Sequence, residues 1–369
     1  MREKQAPRGG YYATQDADSE GEEGRFYVWT PQEVKAALGE ADYALFARRF
    51  GLDRPANFEH RWHLHVFQDW HALSREFSTP VDRALASVDA ARQKLFAVRQ
   101  RRIHPGRDEK ILTSWNGLMI KGMAVAGLIL DEPAYLAAAE RALDFIRSTL
   151  WQDGRLLAVY KDGHARFNGY LDDYVFLMDG ILALLQARWR DGDLDFAVAL
   201  ADAVLNHFED REHGGFFFTA DDHEQLIHRP KPLTDEATPS GNGVAATVLG
   251  RLGHLLGETR YLDAAERGLR AAWSAVANLP YAHDSFLSAL EDQLYPPQLI
   301  VLRGEATELK EWQVRVNRHY APRRLCLAIP NDTTQLSGTL AQCAPRGEVT
   351  AYVCSGTSCS APIDELPEL

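Results

Sequence analysis

Several things are scarce in this chain of 369 residues, and each scarcity removes a class of reading. Cysteine occurs four times, at Cys326, Cys343, Cys354 and Cys359. No two of these are separated by two residues, so neither a redox dithiol nor a zinc knuckle fits them. They read as reduced thiols with a structural or incidental role. Long apolar runs are lacking as well. The best, Leu118–Leu130, is 13 residues and contains Lys121, too short for a bilayer. Residues 1–8 are polar and no apolar stretch follows, which predicts no secretory leader and a cytoplasmic location. Basic charge is in deficit, with 40 Lys and Arg against 52 Asp and Glu and a net charge of −12. Phosphate binding needs a basic face, so nucleic acid is not an expected partner. Arg99, Arg101, Arg102 and Arg107 cluster, but read as a solvated helix end. HExxH, GxSxG and a glycine loop ending in lysine are also missing. Metalloprotease, esterase and nucleotide-hydrolase chemistries are therefore disfavoured.

What is present is an internal repeat. Tyr135-Leu-Ala-Ala-Ala-Glu-Arg-Ala-Leu143 returns 126 residues later as Tyr261-Leu-Asp-Ala-Ala-Glu-Arg-Gly-Leu269, and Phe196–Phe208 has the same pattern about midway. Each copy follows a helix that is apolar nearly all round, at Trp115–Leu130, Tyr174–Arg188 and Val244–Leu256, and His283–Leu294 suggests a fourth. A helix apolar on all faces has to be surrounded, whereas one with a single stripe lies outside. The unit is thus a buried helix, a turn and an amphipathic helix, repeated side by side as an inner and an outer ring. A solenoid is the alternative, but its repeats are usually shorter, about 34 to 47 residues. Helices are also predicted at Pro31–Leu38, Asp42–Phe50 and Val81–Arg101.

The connecting loops are alike. Gly9-Gly-Tyr-Tyr-Ala-Thr-Gln-Asp16-Ala-Asp18 echoes Gly214-Gly-Phe-Phe-Phe-Thr-Ala-Asp221, and Asp153–Tyr160 is a weaker version. All read as short strands. The first looks like a strand following a helix that is not there, which suggests a piece of a longer chain. After Pro296 the pattern changes to strands at 298–303, 324–329 and 349–354 around a helix at 306–318. The expected division is residues 1–295 as helical hairpins and 296–369 as a small α/β appendage.

Several stretches together resemble the thioredoxin-domain-containing family of spermatogenesis-associated protein 20 and its bacterial relatives. They are residues 9–34, 108–124, 168–184, 214–222, 234–246 and 351–362, of which DADSEGEEG and DEKILTSWNGL are the most specific. The resemblance implies a mainly α fold, an incomplete (α/α)6 toroid of the six-hairpin glycosidase type. It would carry short β loops and be similar to sugar epimerases and isomerases. The thioredoxin-like domain usual in the family is absent, as is any CxxC, so no thioredoxin activity carries over.

In such a toroid the loops before the inner helices reach the cavity. Their polar residues are the site candidates, with Asp172, Asp173 and Glu236 in catalytic roles. Asp16, Asp18, Asp108, Trp115, Asn116, Tyr170, Tyr174 and Asn242 are the candidates for holding substrate. Paired carboxylates suit glycoside hydrolysis, an acid/base pair suits epimerisation, and aromatic faces suit sugar rings. Each also has a plainer reading. Aspartate before a helix most often caps it, and Trp115 reads as core. Glu236 has no obvious cap to make. Asp16-Ala-Asp18-Ser-Glu20-Gly21 begins like a calcium loop, but position 12 is Tyr27, not the required glutamate. His63-Leu-His65 lacks a third ligand. The expectation is a carbohydrate ligand, no metal and no cofactor. The alternatives are a non-catalytic scaffold or an inactive fragment.

Overall fold

The computed structural model describes residues 4–224, 227–319, 321–356 and 358–366. Contacts divide the chain into two compact units, residues 14–108 and residues 1–13 with 109–369.

The 14–108 unit holds four helices, α1 (Pro31–Leu38), α2 (Glu40–Phe50), α3 (Trp70–Glu76) and α4 (Val81–Arg99). Helix α1 starts where the sequence dictates. The Thr30 hydroxyl accepts the Glu33 N–H, the Glu33 carboxylate accepts the Thr30 N–H, and Pro31 stands at the first position, a reciprocal cap. Trp29, Val34, Phe46 and Leu95 form its core. The acidic segment folds as a hairpin, Asp18–Ser19 against Glu22–Glu23. In the basic cluster Arg101 and Arg107 are exposed as expected, and Arg102 departs from expectation. Arg102 donates to the carbonyls of Phe26 at 2.9 Å and Val28 at 2.7 Å and lies 4.0 Å from the Trp29 ring centroid. A planar guanidinium with an aromatic face and free carbonyls in reach packs rather than solvates.

The second unit contains α5 (Thr113–Ile129), α6 (Pro133–Thr149), α7 (Leu171–Ala187), α8 (Asp193–His207), α9 (Gly241–Leu256), α10 (Thr259–Asn278) and α11 (Asp284–Leu294). Helices α5, α7, α9 and α11 pack on one another in succession, and α6, α8 and α10 back the first three. This is an open arc of α/α hairpins, an incomplete toroid. Its repeat is literal. Gly127 in α5 and Gly253 in α9 are 126 residues apart and face Leu136 and Leu262 respectively, at distances that leave no room for a methyl group. Gly117 meets the α7 backbone and Gly243 the start of α11 in the same way. Small residues let these helices approach closely, at a cost in helix propensity. Helix α7 is buried almost throughout. Helix α5 is less covered than its composition suggests, for Trp115, Val125 and Ile129 are exposed.

The tail follows its predicted order. Strands Gln298–Gly304 and Arg324–Pro330 are parallel, joined through helix α12 (Ala306–Asn317), and Val349–Ser355 pairs antiparallel with the first. The expectation of four reduced thiols fails at one pair. Cys354 and Cys359 face each other across antiparallel strands and are disulfide-bonded, while Cys326 and Cys343 are free and buried. Among the described residues no helix is long and apolar enough to cross a membrane.

Candidate functional site

The glycine-aromatic loops are strand only in part, at Thr14–Gln15 and in isolated bridges of Tyr11 with Gln5 and Phe216 with Glu209. Each is a strap held by an asparagine. Asn116, in the first turn of α5, accepts the Tyr11 N–H at 2.7 Å and donates to the Tyr11 carbonyl at 3.0 Å. Asn242, in the first turn of α9, does the same to Phe216 at 2.7 and 2.9 Å. One side-chain amide thus takes both backbone groups that a neighbouring strand would otherwise satisfy. The glycines place the straps. Gly9 (φ +115°) lies against the Arg141 carbonyl and Gly214 (φ +76°) against that of Arg267, the equivalent residue of the repeat. A side chain at either would collide with that oxygen. Asp153–Tyr160, by contrast, does form strands, within a small sheet whose longest member is Arg155–Lys161.

Two aspartates join the starts of adjacent inner helices. Asp173 accepts the Tyr170 N–H at 2.8 Å and, across to α5, the Ser114 N–H at 2.8 Å. Burial pushes its carboxyl up to about 7, against the downward pull of those bonds. Asp235 accepts the Ser240 N–H at 2.7 Å before α9, and the N–H and hydroxyl of Ser285 in α11 at 2.8 and 2.5 Å. Burial opposes ionisation there too, but the bonds prevail and its carboxyl lies below the usual range.

Asp172 differs from both. Among the described residues it has no hydrogen-bond or ion-pair partner, and burial raises its carboxyl to about 6. It lines a cavity of about 220 Å³ with Phe218, Thr234, Glu236, Thr238 and Pro239. Glu236, Thr238 and Pro239 also line a second, open cavity of about 740 Å³ bordered by α5, α7, α9 and α11 and by His319, Ala321, Pro322 and Arg324 of the tail. Glu236 itself is exposed, and its N–H is held by the Thr238 carbonyl at 3.0 Å.

The other expected residues are spread out. Tyr174 is fully buried, its hydroxyl bonded to the Leu156 N–H and Arg155. Tyr170 stacks on Phe218 with centroids 4.9 Å apart. Trp115 is 46% exposed and lines neither cavity. Asp16, Asp18 and Asp108 belong to the 14–108 unit. Sequence reasoning missed the charges set into the inner helices. Lys121 bonds Asp179 at 2.6 Å between α5 and α7, and Arg251 bonds Asp292 at 2.7 Å between α9 and α11. The signal was a lone Lys or Arg in α5 and in α9, Lys121 and Arg251. Among the described residues one group has metal-ligand spacing, His207, Asp221 and Asp222, with ligand atoms within 4.8 Å. Its members are already paired, His207 with Asp221 and Asp222 with Arg155.

No family model matches the chain. It is similar to spermatogenesis-associated protein 20 of Homo sapiens, 29% identical over 404 aligned residues that cover 98% of this chain and 51% of that protein. An uncharacterized protein of Caenorhabditis elegans is 26% identical, with 98% and 54% covered. The resemblance carried by the motifs therefore extends along nearly the whole chain, which spans about half the length of the curated relatives it matches. Among solved structures, a D-mannose isomerase is similar at 16% identity and TM-score 0.39, over 46% of this chain and 42% of that one. An α-mannanase of Bacteroides thetaiotaomicron is similar at 12% identity and TM-score 0.43, over 70% and 80%.

Proposed function

We propose that the hairpin arc binds a carbohydrate beside Asp172 and acts on it by carboxylate acid/base chemistry, with Asp172 as proton donor and Glu236 as the second carboxylate. One observation carries this reading. Asp172 is a partly buried carboxyl that faces a cavity, has no partner among the described residues and titrates near 6 because of burial. A capping aspartate is bonded, as Asp173 is. An unpartnered one that lines a cavity and has a raised carboxyl is a candidate for a site. A carboxyl that titrates near 6 keeps part of its population protonated toward neutrality and can give that proton to a departing oxygen, while a second carboxylate activates water or attacks. Asp173 then serves by fixing the backbone on either side, at Tyr170 and Ser114. The 220 Å³ of the small cavity is below the usual range for drug-sized ligands, about 300 to 1,000 Å³, and suits one ring.

The test is a thermal-shift screen of the full chain against monosaccharides and simple glycosides, repeated with Asp172→Asn and Glu236→Gln. A ligand that raises Tm for the parent and for neither variant supports the site. A shift of equal size in all three proteins would remove Asp172 and Glu236 from consideration. Product analysis by NMR then separates hydrolysis from epimerisation.

A further inference from the structure

The larger cavity has a chemistry of its own. Its volume is about 740 Å³, and one side is apolar, built by Leu118, Val125 and Ile129 of α5 with Leu182 and Ala183 of α7. Val125 is 42% and Ile129 65% exposed. Lys121 is paired with Asp179 and Arg251 with Asp292, while Glu236, Asp284, His319 and Arg324 line the space as well. A ligand with an apolar part fits the α5 and α7 wall.

Glu236 connects this space to the chemistry, because it stands in the wall of both cavities together with Thr238 and Pro239. A bond held at Glu236 has one substituent on each side of it. The smaller space takes a ring beside Asp172, and the larger takes whatever that ring is attached to. We infer that the substrate is an amphipathic glycoside, its sugar beside Asp172 and its apolar aglycone against the α5 and α7 wall. This rests on the carbohydrate reading above, and it adds the class of the second substituent.

The experiment compares n-octyl with methyl glycosides of glucose, mannose and galactose, each below its micelle concentration, titrated into the full chain by calorimetry. The octyl compound of at least one sugar should bind at least about tenfold more tightly, the gain from burying two or more methylene groups. Val125→Glu and Ile129→Glu, both at exposed positions, should fold normally, abolish that gain and leave methyl-glycoside binding unchanged. Asp172→Asn should weaken both compounds equally. Methyl-glycoside binding that depends on Asp172, with no octyl gain, would overturn this inference while the carbohydrate reading stands. An octyl gain abolished by the α5 variants but indifferent to Asp172→Asn would uphold the apolar cavity and reject the sugar site. No binding of any of the six glycosides, or an octyl gain unchanged in both α5 variants, would overturn the inference.

Discussion

At the scale of single residues, Asp172 and Asp173 occupy consecutive positions in the first turn of α7 and meet different surroundings. The sequence presents them as a pair of equal candidates, and nothing in their spacing tells which oxygen finds a donor. That depends on Ser114, 59 residues away, a contact made by the fold. The difference has a pH signature. A folded Asp172 titrating near 6 against an ordinary 3.8 holds an extra proton between those values. Its stability contribution is therefore full below about pH 3.8 and is lost as pH rises through about 6. Asp172→Asn should be more stable than the parent at pH 8 by roughly 3 kcal/mol and near parity at pH 4, read from urea denaturation at each pH. The Asp173 carboxyl is raised too, so its contribution also falls as pH rises through about 7. Asp173→Ala, however, leaves the N–H groups of Tyr170 and Ser114 without their acceptor, and a loss of about 2 to 3 kcal/mol at pH 4, where Asp172→Asn is near parity, is expected. Equal denaturation midpoints for the two variants would contradict this division of roles.

At the scale of elements, most of the fold was legible and the loops were not. Periodicity placed α5, α7, α9 and α11, because a ring of inner helices imprints continuous apolarity on the chain. The tail strands were legible for the same reason, being buried runs such as Leu299–Leu302. Gly-Gly-Tyr-Tyr and Gly-Gly-Phe-Phe have strand composition, yet the backbone groups of Tyr11 and Phe216 go to Asn116 and Asn242. Such a pairing with a side chain distant in sequence leaves no periodic trace. The dependence is measurable. Asn242→Leu keeps the volume but removes the bonds to Phe216 and to the Pro232 carbonyl. It should cost about 2 to 4 kcal/mol and speed hydrogen exchange at the Phe216 amide. Protection there equal to the parent's would show that the asparagine does not hold the strap.

At the scale of the whole molecule, the sequence offered one boundary, near Pro296, and the contacts draw another, around residues 14–108. The helices of that unit were legible. Its separateness was not, since its polarity and helical patterning match the rest of the chain. Both ends of the unit lie together, with Thr14 paired to Asp108, while the Ala13 N–H reaches the Lys110 carbonyl just outside it. Replacing residues 14–108 by a Gly-Ser connector of a few residues should therefore leave a cooperatively melting helical protein, checked by circular dichroism and calorimetry. A product without a cooperative transition would mean the two units fold only together. The asparagine clamps explain how such an interruption is accommodated. Asn242 holds a residue 26 positions back and Asn116 one 105 positions back, by the same two hydrogen bonds. The spacing of the ring is thus recorded in a latch and not in the length of its connectors. Each latch is a splice point, where chain can be added or removed between strap and helix without altering how the next hairpin seats.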